Sequence, residues 1–268
     1  MKKGTKITYR GGNNTPKKGN RDFFKNDKKK NWRNSFEEGE FEESMKDDEM
    51  AFMYITDDNV YGICKLWYKK FPFLLLEPNP VTFYYSLAFD VCHQTEESHK
   101  QLTEILKSNL DYKEKRNKLA VAYSFVFKVN SVGIIFSFLC LEAFLNQQLP
   151  QYKSTIIYKG KEISRERIER YFSFVEKLDF VIPQLSGKDF AMKHPRKRKV
   201  IQQLIDLRHE MTHLKQKQGT GITRYEDLYQ KVLDVDVSKI VRTVKTFINF
   251  YHPKLIVNYS YGYTPTKK

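Results

Sequence analysis

Beyond Pro80, apolar residues recur at intervals of three and four positions, which is the periodicity of helices with one buried face. Helix boundaries are marked by prolines, by glycines and by Ser164, which stands where an N-cap is expected. The predicted helices span about 82–109, 114–148, 165–185, 195–218 and 223–250. The pattern therefore predicts an all-α bundle of four or five helices.

The first 80 residues do not follow this helical pattern. Residues 51–75 are rich in aromatic and β-branched residues around Asp57-Asp58-Asn59, which predicts a small hairpin or an irregular cover segment. A second short hairpin is predicted over 154–164, with its turn at Lys159-Gly160. The predicted divisions are a disordered tail over 1–50, a cover segment over 51–80, the helical bundle over 81–252 and a C-terminal tail over 253–268.

The net charge of +15 is concentrated at the N-terminus. Residues 1–34 carry twelve Lys and Arg against two Asp, and an acidic stretch follows over 36–50. A Lys- and Asn-rich arm of this kind is typical of a solvated, disordered tail, and nucleic-acid binding is the alternative. The three cysteines are far apart and form no C-x-x-C pair, so we expect a reducing, cytoplasmic setting without a disulfide framework.

One segment, 119–145, is apolar enough to raise the question of a membrane span. Lys128 and Glu142 interrupt it, and the longest uncharged run, 129–141, has 13 residues. A bilayer requires roughly 20 apolar residues. The segment is therefore predicted to be a buried core helix, and no membrane partner is expected.

The stretch "DLRHEMTHLK" contains H-E-x-x-H, the motif of zinc hydrolases. Residues four apart share a helix face, so His209 and His213 could bind Zn²⁺ while Glu210 activates a bound water. A third ligand is required, and the remaining candidate is His252. Arg208, directly before the first His, opposes metal binding electrostatically. A zinc hydrolase is kept as an alternative.

The same stretch also contains R-x4-H, and its context points to a second family. The chain carries "FLCLEAFLNQQL" over 138–149, "RYFSFVEKLDF" over 170–180 and "VIQQLIDLRHEMTHLK" over 200–215. This order resembles the HEPN superfamily, the helical bundles of prokaryotic toxins, phage-defence proteins and RNA-processing enzymes. The resemblance covers about residues 85–250 and leaves out the first 80.

The resemblance implies a metal-independent endoribonuclease without a cofactor, acting on RNA in a toxin or defence setting. It implies that Arg208 contacts the scissile phosphate and that His213 performs acid–base chemistry on the 2′-hydroxyl. His209 takes the polar position after the Arg, where its role is open. HEPN proteins pair two such helices in a homodimer. Lys215 stands where some relatives carry a tyrosine that is modified by an antitoxin. A different antitoxin or defence partner, or the protein's own charged N-terminus, is therefore expected to restrain it.

Helical geometry supports this chemistry independently. RNA cleavage by its own 2′-oxygen requires a proton acceptor, a proton donor and a cation near the phosphate. His209 and His213 are predicted to lie together on the outer face of their helix, with Arg208 between the two faces. The predicted core stripe consists of Leu204, Leu207, Met211 and Leu214.

A basic run, "KHPRKRK", precedes the motif helix over 193–199. Cations at a helix N-terminus oppose its dipole, and bound phosphate would relieve that repulsion. The alternative is a solvated basic cap. The residues predicted to bind substrate phosphates are Arg196, Lys197, Arg198 and Lys199. The three hypotheses are therefore a HEPN-type endoribonuclease, a zinc hydrolase, and a non-catalytic module of the same bundle that binds RNA or a partner.

Overall fold

The computed structural model describes residues 2–9, 40–47, 52–55, 60–151, 156–214 and 225–261. Most of the predicted basic and acidic tail, the turn at Asp57-Asp58-Asn59 and the predicted helix end near Gln218 lie outside the described residues. The chain forms two compact units, Ile7–Asn79 and a larger unit made of Met1–Lys6 with Pro80–Lys268.

The smaller unit contains one short helix and a three-stranded antiparallel sheet. Its elements are α1 (Glu40–Lys46), β2 (Phe52–Ile55), β3 (Val60–Tyr68) and β4 (Phe71–Leu76), and the strands pair in the order β2-β3-β4. Lys69 and Lys70 form the turn between β3 and β4, and Lys69 has a φ of 56°, the left-handed region that favours Gly or Asn. The sheet confirms the β structure that the aromatic pattern predicted for this part of the chain.

The larger unit is predominantly helical. Its helices are α2 (Pro80–Lys107), α3 (Tyr112–Gln151), α4 (Arg165–Tyr171), α5 (Phe174–Glu176, the π-helical turn Lys177–Val181 and Ile182–Ser186), α6 (Phe190–Lys193), α7 (Pro195–Thr212), α8 (Glu226–Asp234) and α9 (Val237–Tyr251). Two strand pairs complete it: β5 (Ile156–Tyr158) with β6 (Lys161–Ile163), and β1 (Lys2–Thr5) with β7 (Asn258–Tyr261). The prediction of a predominantly helical protein is confirmed.

The long helix α3 lies at the centre of the main core. Its side chains at Ile134, Leu141, Phe144 and Leu145 are buried and pack with residues of α2, α7 and α9. By length and composition alone, Tyr112–Leu149 could cross a membrane, and half of its most apolar window is buried inside the protein. The burial of these side chains agrees with the prediction that this segment is a core helix.

Two predicted helices are each divided in the structure, and local capping explains both divisions. The predicted segment 165–185 breaks because Ser173 caps a new helix, exchanging hydrogen bonds with Glu176 in a capping box. The predicted segment 223–250 breaks because the Asp236 side chain accepts from the Lys239 amide and starts α9. In a continuous helix, these amides would donate to carbonyls of the preceding turn. Because the Ser173 and Asp236 side chains accept from them instead, one helix can end and another can begin at each of these points.

The hairpin at Lys159-Gly160 forms as predicted, with both residues at positive φ. The structure departs from the predicted tails at three places. Within the predicted disordered tail 1–50, Glu40–Lys46 forms the helix α1. Lys2–Thr5 pairs in antiparallel register with Asn258–Tyr261. Polar and aromatic residues alternate over Asn258–Tyr261 but not over Lys2–Thr5, and neither segment indicates its partner, because the two are far apart in the sequence.

Gly133 marks a close approach between α3 and α9, which gives a test of the packing. A methyl group at Gly133 would overlap Cγ1 of Val237 and lie 3.3 Å from Cγ2 of Val91. Overpacking costs about 1–3 kcal/mol, against about 1 kcal/mol gained from the helix propensity of Ala. We therefore expect Gly133→Ala to lower the free energy of unfolding, measured by denaturant titration.

The matched control for Gly133→Ala is the same substitution in a Val237→Ala background. Because Val237→Ala removes the overlapping methyl group, Gly133→Ala should cost less there or become stabilising. Equal costs in both backgrounds would show that the two residues do not limit each other's packing.

Candidate functional site

Helix α7 carries the motif, and its sequence explains where it begins and ends. Pro195 occupies the first turn, where its missing amide has no partner to lose. Val200, Ile201, Leu204 and Leu207 are buried and hold the helix against the core. The helix ends at Thr212, six residues before the predicted boundary near Gln218. The predicted core stripe is confirmed for Leu204 and Leu207, which are buried, while Met211 is only partly buried against the core. The prediction is wrong for Leu214, which is exposed and lies beyond the end of the helix.

Arg208 is half-buried and lies on an aromatic platform. Its Cζ is 4.5 Å from the ring centroid of Phe138 on α3. Phe138 is buried and stacks on Phe174 of α5 with centroids 4.6 Å apart. Among the described residues, no protein acceptor receives a hydrogen bond from Arg208. The guanidinium plane is thus held by a cation–π contact, and its N–H edge remains available to an anion.

His209 and His213 lie side by side at the C-terminal end of α7. Their ring centroids are 4.7 Å apart, and both residues are exposed. The His213 amide donates to the His209 carbonyl at 3.0 Å, which fixes the turn that carries the second ring. The predicted placement of the two imidazoles together on the outer face is confirmed. Such a pair can accept a proton on one ring and donate a proton from the other.

Glu210, the second residue of H-E-x-x-H, is engaged by a neighbouring helix. Lys231 on α8 donates to its two carboxylate oxygens at 2.6 and 2.9 Å. Within the described part of the chain, no three His, Cys, Asp or Glu side chains come together as metal ligands, so His252 does not join His209 and His213. A zinc site here would need a third ligand from elsewhere and a Glu210 released from Lys231.

The four cations at the start of α7 divide into two pairs. Arg198 donates to Asp179 through Nε at 2.6 Å and to Gln202, and Lys197 donates to Thr246 at 3.1 Å. Arg196 and Lys199 are exposed, and neither forms an ion pair with another described residue. Lys197 and Arg198 thus have structural partners, which leaves the other two as the candidates for phosphate contact.

The basic run and the histidine pair lie at opposite ends of α7. Ten residues separate Lys199 from His209, a distance of about 15 Å along a helix axis. Within one chain, these groups therefore do not surround one phosphate.

The three sequence segments 138–149, 170–180 and 200–215 meet at this site. Phe138 comes from the first segment, Phe174 from the second and Arg208 from the third. Lys177 of the second segment also donates to Asn146 of the first at 3.4 Å. Sequence reasoning missed the role of Phe138 and Phe174, although both lie inside the quoted segments. An aromatic residue in an apolar helix carries no signal that distinguishes a cation platform from ordinary core.

Comparisons of this chain with protein-family models, with characterised proteins and with solved structures found no match.

Proposed function

We propose that this chain is a metal-independent endoribonuclease of the HEPN type. The observation that carries the proposal is the state of Arg208. Its guanidinium is held on the Phe138–Phe174 stack without an acceptor among the described residues, on the helix that ends in two exposed imidazoles. A fixed cation with available donors next to a proton acceptor and a proton donor is the set that RNA cleavage requires.

In the proposed reaction, His213 takes the proton of the 2′-hydroxyl, and the 2′-oxygen forms a bond to phosphorus. The bond from phosphorus to the 5′-oxygen breaks, and that oxygen receives a proton from the second imidazole, His209. The products are a 2′,3′-cyclic phosphate and a 5′-hydroxyl. Arg208 contacts the phosphate oxygens, where negative charge increases in the transition state.

The proposed setting is cytoplasmic, in a toxin or phage-defence system with RNA as substrate and an antitoxin or defence protein as regulator. The histidine pair faces away from the core, so one chain covers only one side of a bound phosphate. A homodimer with two α7 helices face to face would enclose that side. Arg196 and Lys199 would then contact phosphates outside the cleaved one.

The test is cleavage of unstructured RNA by the purified full-length protein, with and without excess EDTA. We expect cleavage to persist in EDTA and in Glu210→Ala, because Glu210 pairs with Lys231 and takes no part in the reaction. Arg208→Ala and His213→Ala should abolish it.

Two results would contradict the proposal. Loss of cleavage in EDTA, together with stoichiometric zinc that disappears in His209→Ala, would favour the zinc hydrolase. RNA binding without cleavage under every condition would favour the non-catalytic module.

A further inference from the structure

The sheet of the smaller unit has one face that carries no charged residue from the Met53–Gly62 pair to the Tyr68–Phe71 pair next to the β3–β4 turn. Residues paired across antiparallel strands point to the same side, and side chains alternate between sides along each strand. The register pairs Tyr68 with Phe71, Leu66 with Phe73, and Cys64 with Leu75. We call this side the aromatic face, and its members are Met53, Gly62, Cys64, Leu66, Tyr68, Phe71, Phe73 and Leu75.

The aromatic face is most exposed at the hairpin turn. Phe71 is 73% exposed and Tyr68 is 66% exposed, and they form the cross-strand pair nearest the turn. Phe73, Leu66 and Leu75 follow at lower exposure. Contiguous exposed apolar surface of this kind marks an interaction site more often than single exposed residues do.

The charges around the aromatic face suit a negatively charged partner. Residues 60–76 contain three lysines and no acidic residue. Lys69 and Lys70 form the turn itself, and the Lys69 ammonium lies 5.5 Å from the Tyr68 ring centroid. The Glu77 carboxylate lies beside Gly62, at the end of the strands far from the turn. Positive charge and exposed rings therefore coincide at the turn.

We propose that the aromatic face binds unpaired RNA, with bases stacked on Tyr68 and Phe71 and phosphates at Lys69 and Lys70. The identity of the nucleic acid as RNA rests on the proposed function. Aromatic rings bind every base through its π face, and adjacent lysines supply sequence-independent phosphate contacts. Base pairing hides these faces, so a sheet of this kind selects single strands over duplexes. The larger unit would cleave RNA that the smaller unit captures.

The test uses the full-length protein with Arg208→Ala, which prevents cleavage of the probe. Fluorescence anisotropy measures binding of a labelled oligouridine and of a duplex RNA of equal length. Tyr68→Leu with Phe71→Leu keeps the apolar area and removes the rings, and we expect oligouridine affinity to fall about tenfold or more. Tyr112→Leu, which removes an 81% exposed ring from the larger unit, is the matched control and should bind normally.

A second pair of variants tests the phosphate contacts. Lys69→Gln with Lys70→Gln should reduce the slope of log affinity against log salt by about 1.4 for two lost contacts on a single strand. An unchanged slope would overturn the role of the two lysines. Circular dichroism of each variant checks that the protein remains folded.

The remaining outcomes separate this inference from the proposed function. Equal oligouridine binding by the Arg208→Ala protein with and without the double-Leu change overturns the inference, and RNA cleavage by the wild-type protein would leave the proposed function standing. Loss of binding with the double-Leu change, together with no RNA cleavage by the wild-type protein, supports the inference and overturns the proposed function. If neither protein binds RNA and both bind phosphatidylserine vesicles, the inference is overturned in favour of a lipid surface. If neither protein binds RNA and the double-Leu variant still self-associates, the inference is overturned in favour of a second copy.

Discussion

Arg208→Lys is expected to lower the rate constant for RNA cleavage by about 10²- to 10³-fold, the loss typical of removing one preorganised donor to transition-state charge. Lysine keeps the positive charge, but it lacks the planar face that lies on the Phe138 ring and the fork that contacts two phosphate oxygens. The measurement is single-turnover cleavage of a labelled RNA at saturating protein.

The matched control is Arg116→Lys on α3, outside the proposed phosphate contacts. Arg116 is exposed and has no ion pair among the described residues, so this conservative change should leave the cleavage rate constant as it is. Phe138→Leu removes the platform and keeps Arg208, so it should lower the rate less than Arg208→Lys does. An Arg208→Lys enzyme as fast as wild type would show that charge alone acts at this position and that the aromatic platform is only core packing.

Local sequence signals predicted most of the larger unit. The spacing of apolar residues and the prolines placed the ends of α2 and α3 and the start of α7 within three residues of their observed positions, the accuracy expected of boundaries. Ser164 caps α4 as predicted, and Lys159-Gly160 forms the predicted turn. These features depend on neighbours in the sequence, so the sequence alone carries them.

Features that depend on distant parts of the chain were missed. The β1–β7 pair joins the two ends of the sequence, and nothing within either segment announces its partner. The early end of α7 at Thr212 follows from the turn at His213, where the chain leaves helical geometry, although the apolar pattern continues to Leu214. Periodicity records which residues are apolar, but it does not record where a helix loses its contact with the core.

In the candidate site too, contacts between sequence neighbours were predicted and contacts between distant segments were not. The adjacency of His209 and His213 follows from their spacing of four residues and was predicted. The pairing of Glu210 with Lys231, and of Arg208 with Phe138, required the fold. These two contacts bear on the choice between the ribonuclease and zinc hypotheses more than the motif does. Lys231 occupies the carboxylate of Glu210, the general base of the zinc hypothesis, and Phe138 positions Arg208, the phosphate-binding residue of the ribonuclease hypothesis.

The largest effect on stability is expected for Phe247→Ala, with a loss of about 3–5 kcal/mol in the free energy of unfolding. Phe247 is 0% exposed. Its ring centroid lies 5.0 Å from Phe190, 5.1 Å from Tyr251 and 6.1 Å from Phe144. Truncation would remove its buried area, leave a cavity and end three aromatic contacts. Urea titration followed by far-UV circular dichroism measures the change.

Phe125→Ala is the control, because it removes the same atoms from a residue of α3 that is 43% exposed. It should cost clearly less, since part of that ring already contacts water and solvent can fill the space left behind. A similar cost for both variants would show that the cluster around Phe247 is loosely packed.

The Phe247 cluster also connects stability to the candidate site. The Phe190 ring centroid lies 5.0 Å from that of His194, the residue directly before α7. The Phe190 amide donates to the Tyr251 hydroxyl at 3.2 Å. Because this contact anchors the start of α7 about 20 Å or more from Arg208 along the helix, truncation at Phe247 should weaken the fold without touching the reacting groups. We therefore expect Phe247→Ala protein to cleave RNA at the wild-type rate per folded molecule at low temperature, and to lose activity on warming together with its helical signal. A rate already reduced in the fully folded variant would mean that the position of α7, and not the fold alone, depends on this cluster.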